Sequence, residues 1–195
     1  MTSICFVRHG ETDWNKERRL QGQEDIPLNE TGREQALRTA QLLSEGKWDA
    51  VLASPLSRAR ETAEIIRTRL NIVDYGVVSH FQERDFGSIS GELFADVEEL
   101  YKAETAPGME RLEDMMVRLE AGLAEVKKNF AGKRVIVVSH GVAIRVLLSH
   151  LFKEEVHPEV KLHNACVSHL SFNDGRWVLG EWNIADHLSD TTMRT

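Results

Sequence analysis

Two cysteines in a chain of 195 residues are too few for a disulfide framework. Both Cys5 and Cys166 sit in apolar, strand-like surroundings, which suit a thiol buried as a small hydrophobe better than a bridge or a metal ligand. No apolar stretch approaches the roughly 20 residues needed to span a bilayer, and Met1-Thr2-Ser3 runs into a strand with no basic leader. A cytoplasmic protein is expected. Positive charge is in deficit, with 24 Lys and Arg against 31 Asp and Glu and a formal net charge of −7. That balance argues against nucleic acid or an anionic membrane as the main partner. Repeats and low-complexity tracts are also missing. One domain over 1–195 is expected, long enough to bury roughly 70% of the surface its unfolded form exposes.

What is present is a regular alternation of strand and helix patterns. Ile4-Cys5-Phe6-Val7 and Val135-Ile136-Val137-Val138 are continuous apolar runs rich in β-branched residues, the pattern of parallel strands covered on both faces. Ala50 to Ala53 reads as a third. A turn-rich passage from Glu11 to Asn29 leads to Thr31-Gly32-Arg33-Glu34, a capping-box pattern opening a helix to about Ser44 that buries Ala36, Leu37, Ala40 and Leu43. Ser54-Pro55 reads as an N-cap followed by proline at the first helical position, opening a helix that buries Ala59, Ala63, Ile66 and Leu70. Leu112, Met116, Leu119, Leu123, Val126 and Phe130 mark a long amphipathic helix. Asn173-Asp174-Gly175 between Val167–Phe172 and Arg176–Trp182 signals a hairpin. The expectation is a three-layer α/β/α sandwich with a largely parallel central sheet. Residues 88–108, where Leu93, Phe94, Val97, Leu100 and Tyr101 have helical spacing among acids, read as an insertion covering the site.

The first and third strand patterns in chain order each end in a histidine followed by glycine, His9-Gly10 and His140-Gly141. Ligands of open α/β sheets sit beyond the carboxyl ends of such strands, so the two imidazoles are placed to face one another across one site, with Arg8 beside the first. Arg58 lies in the first turn of a helix that follows a strand, where helix-start amides and the dipole favour an anion. Arg8 and Arg58, helped by amides after Gly141, predict a cradle for a phosphoryl group. Taken singly, either arginine reads as a surface or ion-pairing residue, and Glu83 as a partner of Arg84 or another base. His80, His150, His157, His163, His169 and His187 show no metal-ligand spacing and read as structural.

Arg8-His9-Gly10-Glu11-Thr12 with Trp14-Asn15 resembles the opening motif of the histidine phosphatase superfamily, also called the phosphoglycerate-mutase-like family. Four further blocks resemble it in order: Gly22 with Asp25 to Leu28 and Thr31 to Ala36; Ser54 to Ala59 with Thr62-Ala63; Glu83 to Gly87; and Ser139-His140-Gly141. The resemblance implies a phosphoglycerate-mutase-like fold and a catalytic set of His9, Glu83, His140, Arg8 and Arg58. In it His9 is the nucleophile, Arg8, Arg58 and His140 hold the phosphate oxygens, and Glu83 is the proton donor. Asn15, Gln21, Gly22 and Gly141 are implied as further phosphate contacts. No metal and no cofactor is required by that chemistry, and the partner is a small phosphorylated metabolite.

Phosphoglycerate mutases of the family carry a longer insertion behind the glutamate motif, with a lysine-containing segment much sooner after the glutamate than Lys102 stands after Glu83. A phosphomonoester hydrolase similar to the family's short, broad-specificity bacterial phosphatases is therefore expected. If the apolar stripe of 88–108 faces the pocket, it favours an apolar or aromatic substrate body, and Glu92, Asp96, Glu98, Glu99 and Glu104 disfavour a second phosphate. The other reading is that the stripe fastens the insertion to the domain. The chain departs from the family at Pro107-Gly108-Met109-Glu110-Arg111, where related chains have Gly-Gly-Glu-Ser. The rival functions are a cofactor-dependent phosphoglycerate mutase, a metallohydrolase using His9, His140 and Glu83, and a non-catalytic phospholigand-binding module.

Overall fold

The computed structural model describes residues 1–189, so the last six positions of the expected 1–195 domain lie outside the described residues. The elements run β1 (Thr2–Arg8), α1 (Asp13–Glu17), α2 (Glu30–Leu43), β2 (Ala50–Ala53), α3 (Ser57–Leu70), β3 (Tyr75–Val77), α4 (Phe94–Ala103), α5 (Leu112–Asn129), β4 (Arg134–Ser139), α6 (Gly141–Leu151), β5 (Val167–Asn173) and β6 (Arg176–Leu179). They build one six-stranded sheet in the order β3-β2-β4-β1-β5-β6. The first four strands of that order are parallel, while β5 runs antiparallel to β1 and β6 antiparallel to β5.

Alternation along the strands divides the core into two layers. Ile4, Phe6, Leu52, Val135 and Val137 face one side and pack with Met115, Leu119 and Leu123 of α5 and Ile144, Leu147 and Leu148 of α6. Cys5, Val7, Val51, Ala53, Ile136 and Val138 face the other and pack with Ala40 and Leu43 of α2 and Ala59, Ala63 and Ile66 of α3. Three layers follow, as the sequence pattern predicts. Both cysteines are buried free thiols, and burial pushes Cys166 up to about 11.

Several local expectations are corrected. Helix α2 is capped by Asn29, whose side chain accepts from Gly32 N–H, because that residue turns out of the helix one step before Glu30; Thr31 lies inside the first turn. Leu37 is 52% exposed, at the edge of the stripe rather than in it. Helix α3 begins at Ser57 with Leu56 at the cap, so Ser54 and Pro55 remain in the connecting loop. The turn-rich passage contains α1, closed at its start by a capping box between Thr12 and Asn15. Strand β6 stops at Leu179, short of Trp182.

The 88–108 segment carries α4, with Val97 buried against Phe86, Ile89 and Ala106, and Tyr101 packed beside them. It is strapped to the loop after α1 by Gly91 N–H to the Leu20 carbonyl and Leu20 N–H to the Glu92 carbonyl, at 2.7 and 3.0 Å. Among the described residues, no helix is long and apolar enough to cross a membrane.

Candidate active site

The register of the sheet creates the site. Arg8 pairs with Ser139 and Ala53 with Val138, so β1, β4 and β2 end side by side, and the chain leaves them as His9, His140 and Ser54. All three are buried. The imidazoles of His9 and His140 lie 5.2 Å apart, centroid to centroid. A cavity of about 210 Å³ opens at this point, walled in part by Arg8, His9, Asn15, Gln21, Gly22, Arg58, Glu83 and Gly141. Every residue singled out in the sequence is thus in one place, with His140 against His9.

Hydrogen bonding fixes the tautomer of His9. Its Nδ1 lies 2.6 Å from the Gly10 carbonyl. A carbonyl can only accept, so Nδ1 carries the hydrogen and Nε2 keeps its lone pair. Arg58 Nε–H sits 3.3 Å from that Nε2. Burial first, then the charges of Arg58 and Arg8, hold His9 well below the usual imidazole range, so the ring is neutral near pH 7. Burial and the same arginines also keep His140 neutral.

Arg58 is immobilised by backbone carbonyls, donating Nη1 to Glu24 and Nη2 to Gly22 at 2.7 Å each. Burial pushes its pKa down to about 10, which still leaves it charged. Gly22 takes φ +54, a left-handed conformation natural to glycine, and a Cβ there would press on Phe86. Arg8 donates Nη1 to the Leu162 carbonyl at 2.6 Å. Its Nε and the Nδ1 of His140 are buried without a protein partner, and buried polar groups without partners mark where a ligand's acceptor oxygens belong. The Oδ1 of Asn15 takes the Thr12 amide and Asn164 Nδ2, and Gln21 Oε1 takes the Thr12 hydroxyl, so the NH₂ of each amide remains as donor.

One expectation is corrected here. The amides of Val142 and Ala143, expected to cradle phosphate, donate instead to Glu83, at 3.1 and 3.0 Å, and Arg84 N–H adds a third bond at 2.9 Å. Glu83 makes no ion pair with the Arg84 side chain, which goes to the Glu110 carbonyl and Glu104. Residues 88–108 contribute nothing to the wall of this cavity, and the acids of that segment do not line it. Of its stripe, Val97 and Tyr101 fasten α4 to the domain, whereas Leu93 and Leu100 are exposed.

Ser54 is the residue sequence reasoning assigned elsewhere. Its Oγ lies 2.7 Å from Nε2 of His140. Arg118, Glu110, Asn164 and Arg145 were not singled out for the site, and no local pattern marks them.

A three-layer sandwich whose parallel strands end in two neutral histidines between fixed guanidinium groups presents a cluster of donors suited to an anion. Residues 4–185 match the family model of the histidine phosphatase superfamily (branch 1), and the chain belongs to that superfamily of enzymes. It is 41% identical over 194 residues to the uncharacterized phosphatase PhoE of Bacillus subtilis (strain 168), over 97% of this chain and 98% of that one. It is 35% identical over 202 residues to a metal-independent phosphoserine phosphatase of Arabidopsis thaliana, over 97% and 84%. A phosphoserine phosphatase mutant from Entamoeba histolytica, solved in complex with phosphoserine, superposes with a TM-score of 0.84 at 26% identity, over 97% of this chain and 100% of that one.

Proposed function

We propose that the chain hydrolyses small phosphomonoesters through a phosphohistidine intermediate on His9, without a metal. The observation that carries this reading is the lone pair of His9 Nε2, set by the Gly10 carbonyl and held 3.3 Å from Arg58. In the first step Nε2 attacks phosphorus, the ester P–O bond breaks, and Glu83 gives its proton to the departing alkoxide. In the second, water attacks the phosphohistidine, Glu83 takes a proton from it, and the P–N bond breaks to release phosphate. Splitting the reaction in this way replaces one hard displacement by two easier ones. Arg8, Arg58 and His140 hold the phosphoryl oxygens throughout, with Asn15 and Gln21 adding donors.

The apolar walls Leu20, Phe86, Val142, Val160 and Leu162 suit the carbon skeleton of a compact leaving group. Phosphatase-named relatives at 41% and 35% identity support hydrolysis, and the second name supports metal independence. The 88–108 segment serves as a cover indirectly, by bracing Leu20 and Arg19 at the cavity.

Trapping phosphate from a labelled substrate tests the reading. An acid-labile, alkali-stable adduct is expected, absent from His9→Ala, with full turnover in chelator and inhibition by vanadate. An alkali-labile adduct, or turnover abolished by chelator, overturns it. Binding without turnover identifies a phospholigand-binding module instead, and faster interconversion of phosphoglycerates than release of phosphate from 4-nitrophenyl phosphate identifies a mutase.

A further inference from the structure

The carboxylate of Glu83 is held by amides, but the main chain behind it is held by something else. Arg118, on α5, donates Nη1 to the carbonyls of His80 and Gln82 at 2.9 and 2.8 Å, and Nη2 to the carbonyl of Glu83 at 3.1 Å. The other edge of the same guanidinium grips Glu110, with Nε to Oε1 at 2.6 Å and Nη2 to Oε2 at 2.8 Å. Both side chains are mostly buried, 20% and 16% exposed, so this bidentate pair is shielded from screening as a surface pair is not.

Glu110 is itself tied to the residues after Glu83. Its N–H donates to the Asp85 carbonyl at 2.9 Å, and its own carbonyl accepts Arg84 Nε at 2.8 Å. One guanidinium and one carboxylate thus brace residues 80–85, a stretch that belongs to no strand. The arrangement needs a planar fork with donors on two edges, which arginine has and lysine lacks. None of these bonds reaches Arg8, His9 or Arg58.

We infer that Arg118, held by Glu110, is a positioning residue for the proton transfer: it fixes the main chain at residues 80–83 so that the Glu83 carboxyl reaches the leaving-group oxygen. The inference rests on the proton-donor role proposed for Glu83. Because the clamp's hydrogen bonds go only to the glutamate segment and Glu110, its loss slows bond breaking in proportion to how much the leaving group needs a proton, beyond a small uniform effect of removing the Arg118 charge, the weakest of those that lower His140. Displacement of a catalytic group by about 1 Å costs on the order of 100-fold.

The experiment is single-turnover phenol release from a series of phenyl phosphates, 4-nitrophenyl to 4-methoxyphenyl, by wild type, Arg118→Met, Arg118→Lys, Glu110→Gln and Glu83→Gln. Wild type is expected to depend weakly on the leaving group. Arg118→Met is expected to lose roughly 10- to 100-fold on 4-methoxyphenyl phosphate but no more than about threefold on 4-nitrophenyl phosphate, the range following from that displacement cost. Arg118→Lys and Glu110→Gln are expected to steepen the dependence less. Equal loss across the series, or none, in Arg118→Met overturns the inference. If that variant does not fold, a flat dependence in both Arg118→Lys and Glu110→Gln overturns it. Glu83→Gln separates the two levels: a flat dependence there removes Glu83 as proton donor, whereas a steep one beside a flat Arg118→Met removes only the clamp.

Discussion

The Nε–H of Arg58 lies 3.3 Å from Nε2 of His9, on the edge of the imidazole that keeps its lone pair. The arginine is thus both a neighbour of the proposed nucleophile and a charge that holds it unprotonated. Arg58→Met should lower kcat/KM by about 10² to 10³, the usual effect of removing one fixed donor to developing charge. Arg58 is also the largest charge contribution that lowers His9, after burial. Its removal raises that pKa, so the acid limb of the kcat/KM profile should move to higher pH. An unmoved limb would show that Arg58 does not govern the protonation of His9.

The contact of Ser54 with His140, at 2.7 Å, leaves Nδ1 of that histidine buried without a protein partner, open to the proposed phosphate. With the serine hydroxyl donating, Nδ1 carries the hydrogen and is a donor to a phosphoryl oxygen. Ser54→Ala frees the other tautomer and should reduce kcat about fivefold, corresponding to roughly 1 kcal/mol for a neutral hydrogen bond. Nitrogen-15 shifts of His140 would report the change of tautomer directly.

Both site histidines have pKa values below the ordinary 6.5 in the folded protein, chiefly through burial. Below about pH 6.5 the unfolded chain binds these protons and the folded one does not, so stability is greatest above that pH and falls as pH drops through it. Each histidine contributes a slope of about 1.4 kcal/mol per pH unit in that window. Urea unfolding at pH 7.5, 6.5 and 5.5 should show this loss, and a His9→Asn, His140→Asn double variant should show a shallower one.

The loop after β1 and the first turn of α2 meet backbone to backbone. A Cβ on Gly10 would strike the Gly32 carbonyl, and one on Gly32 would strike the Glu11 carbonyl. Gly32→Ala should therefore cost about 1–3 kcal/mol, the range for forced overpacking, and lower kcat by disturbing the His9 loop. The midpoint of urea unfolding measures the first effect and steady-state assay the second.

The central strands β1, β2 and β4 were legible because being covered on both faces leaves continuous apolar runs. Their order was not, since which run pairs with which is settled by helices packing over residues far apart in the chain. Strand β3 at Tyr75–Val77 is three residues long and escaped notice. Ser54 misled because a serine before a proline reads as a cap, while in the fold its hydroxyl goes to a histidine 86 positions away. The helix-start amides after Gly141 read as part of a phosphate cradle, whereas in the fold they hold the Glu83 carboxyl, a side chain of the protein itself.

The sequence by itself determined the sandwich, the family and the candidate reactive groups, because apolar periodicity and the short blocks around Arg8, Arg58, Glu83 and His140 are local. Only the tertiary structure decided which donors are spent and which remain open. Arg8 and Arg58 each commit terminal nitrogens to distant carbonyls, and Arg118 braces Glu83 across 35 positions. Those choices depend on distances of a few ångströms between segments brought together by core packing, and no pattern along the chain encodes them.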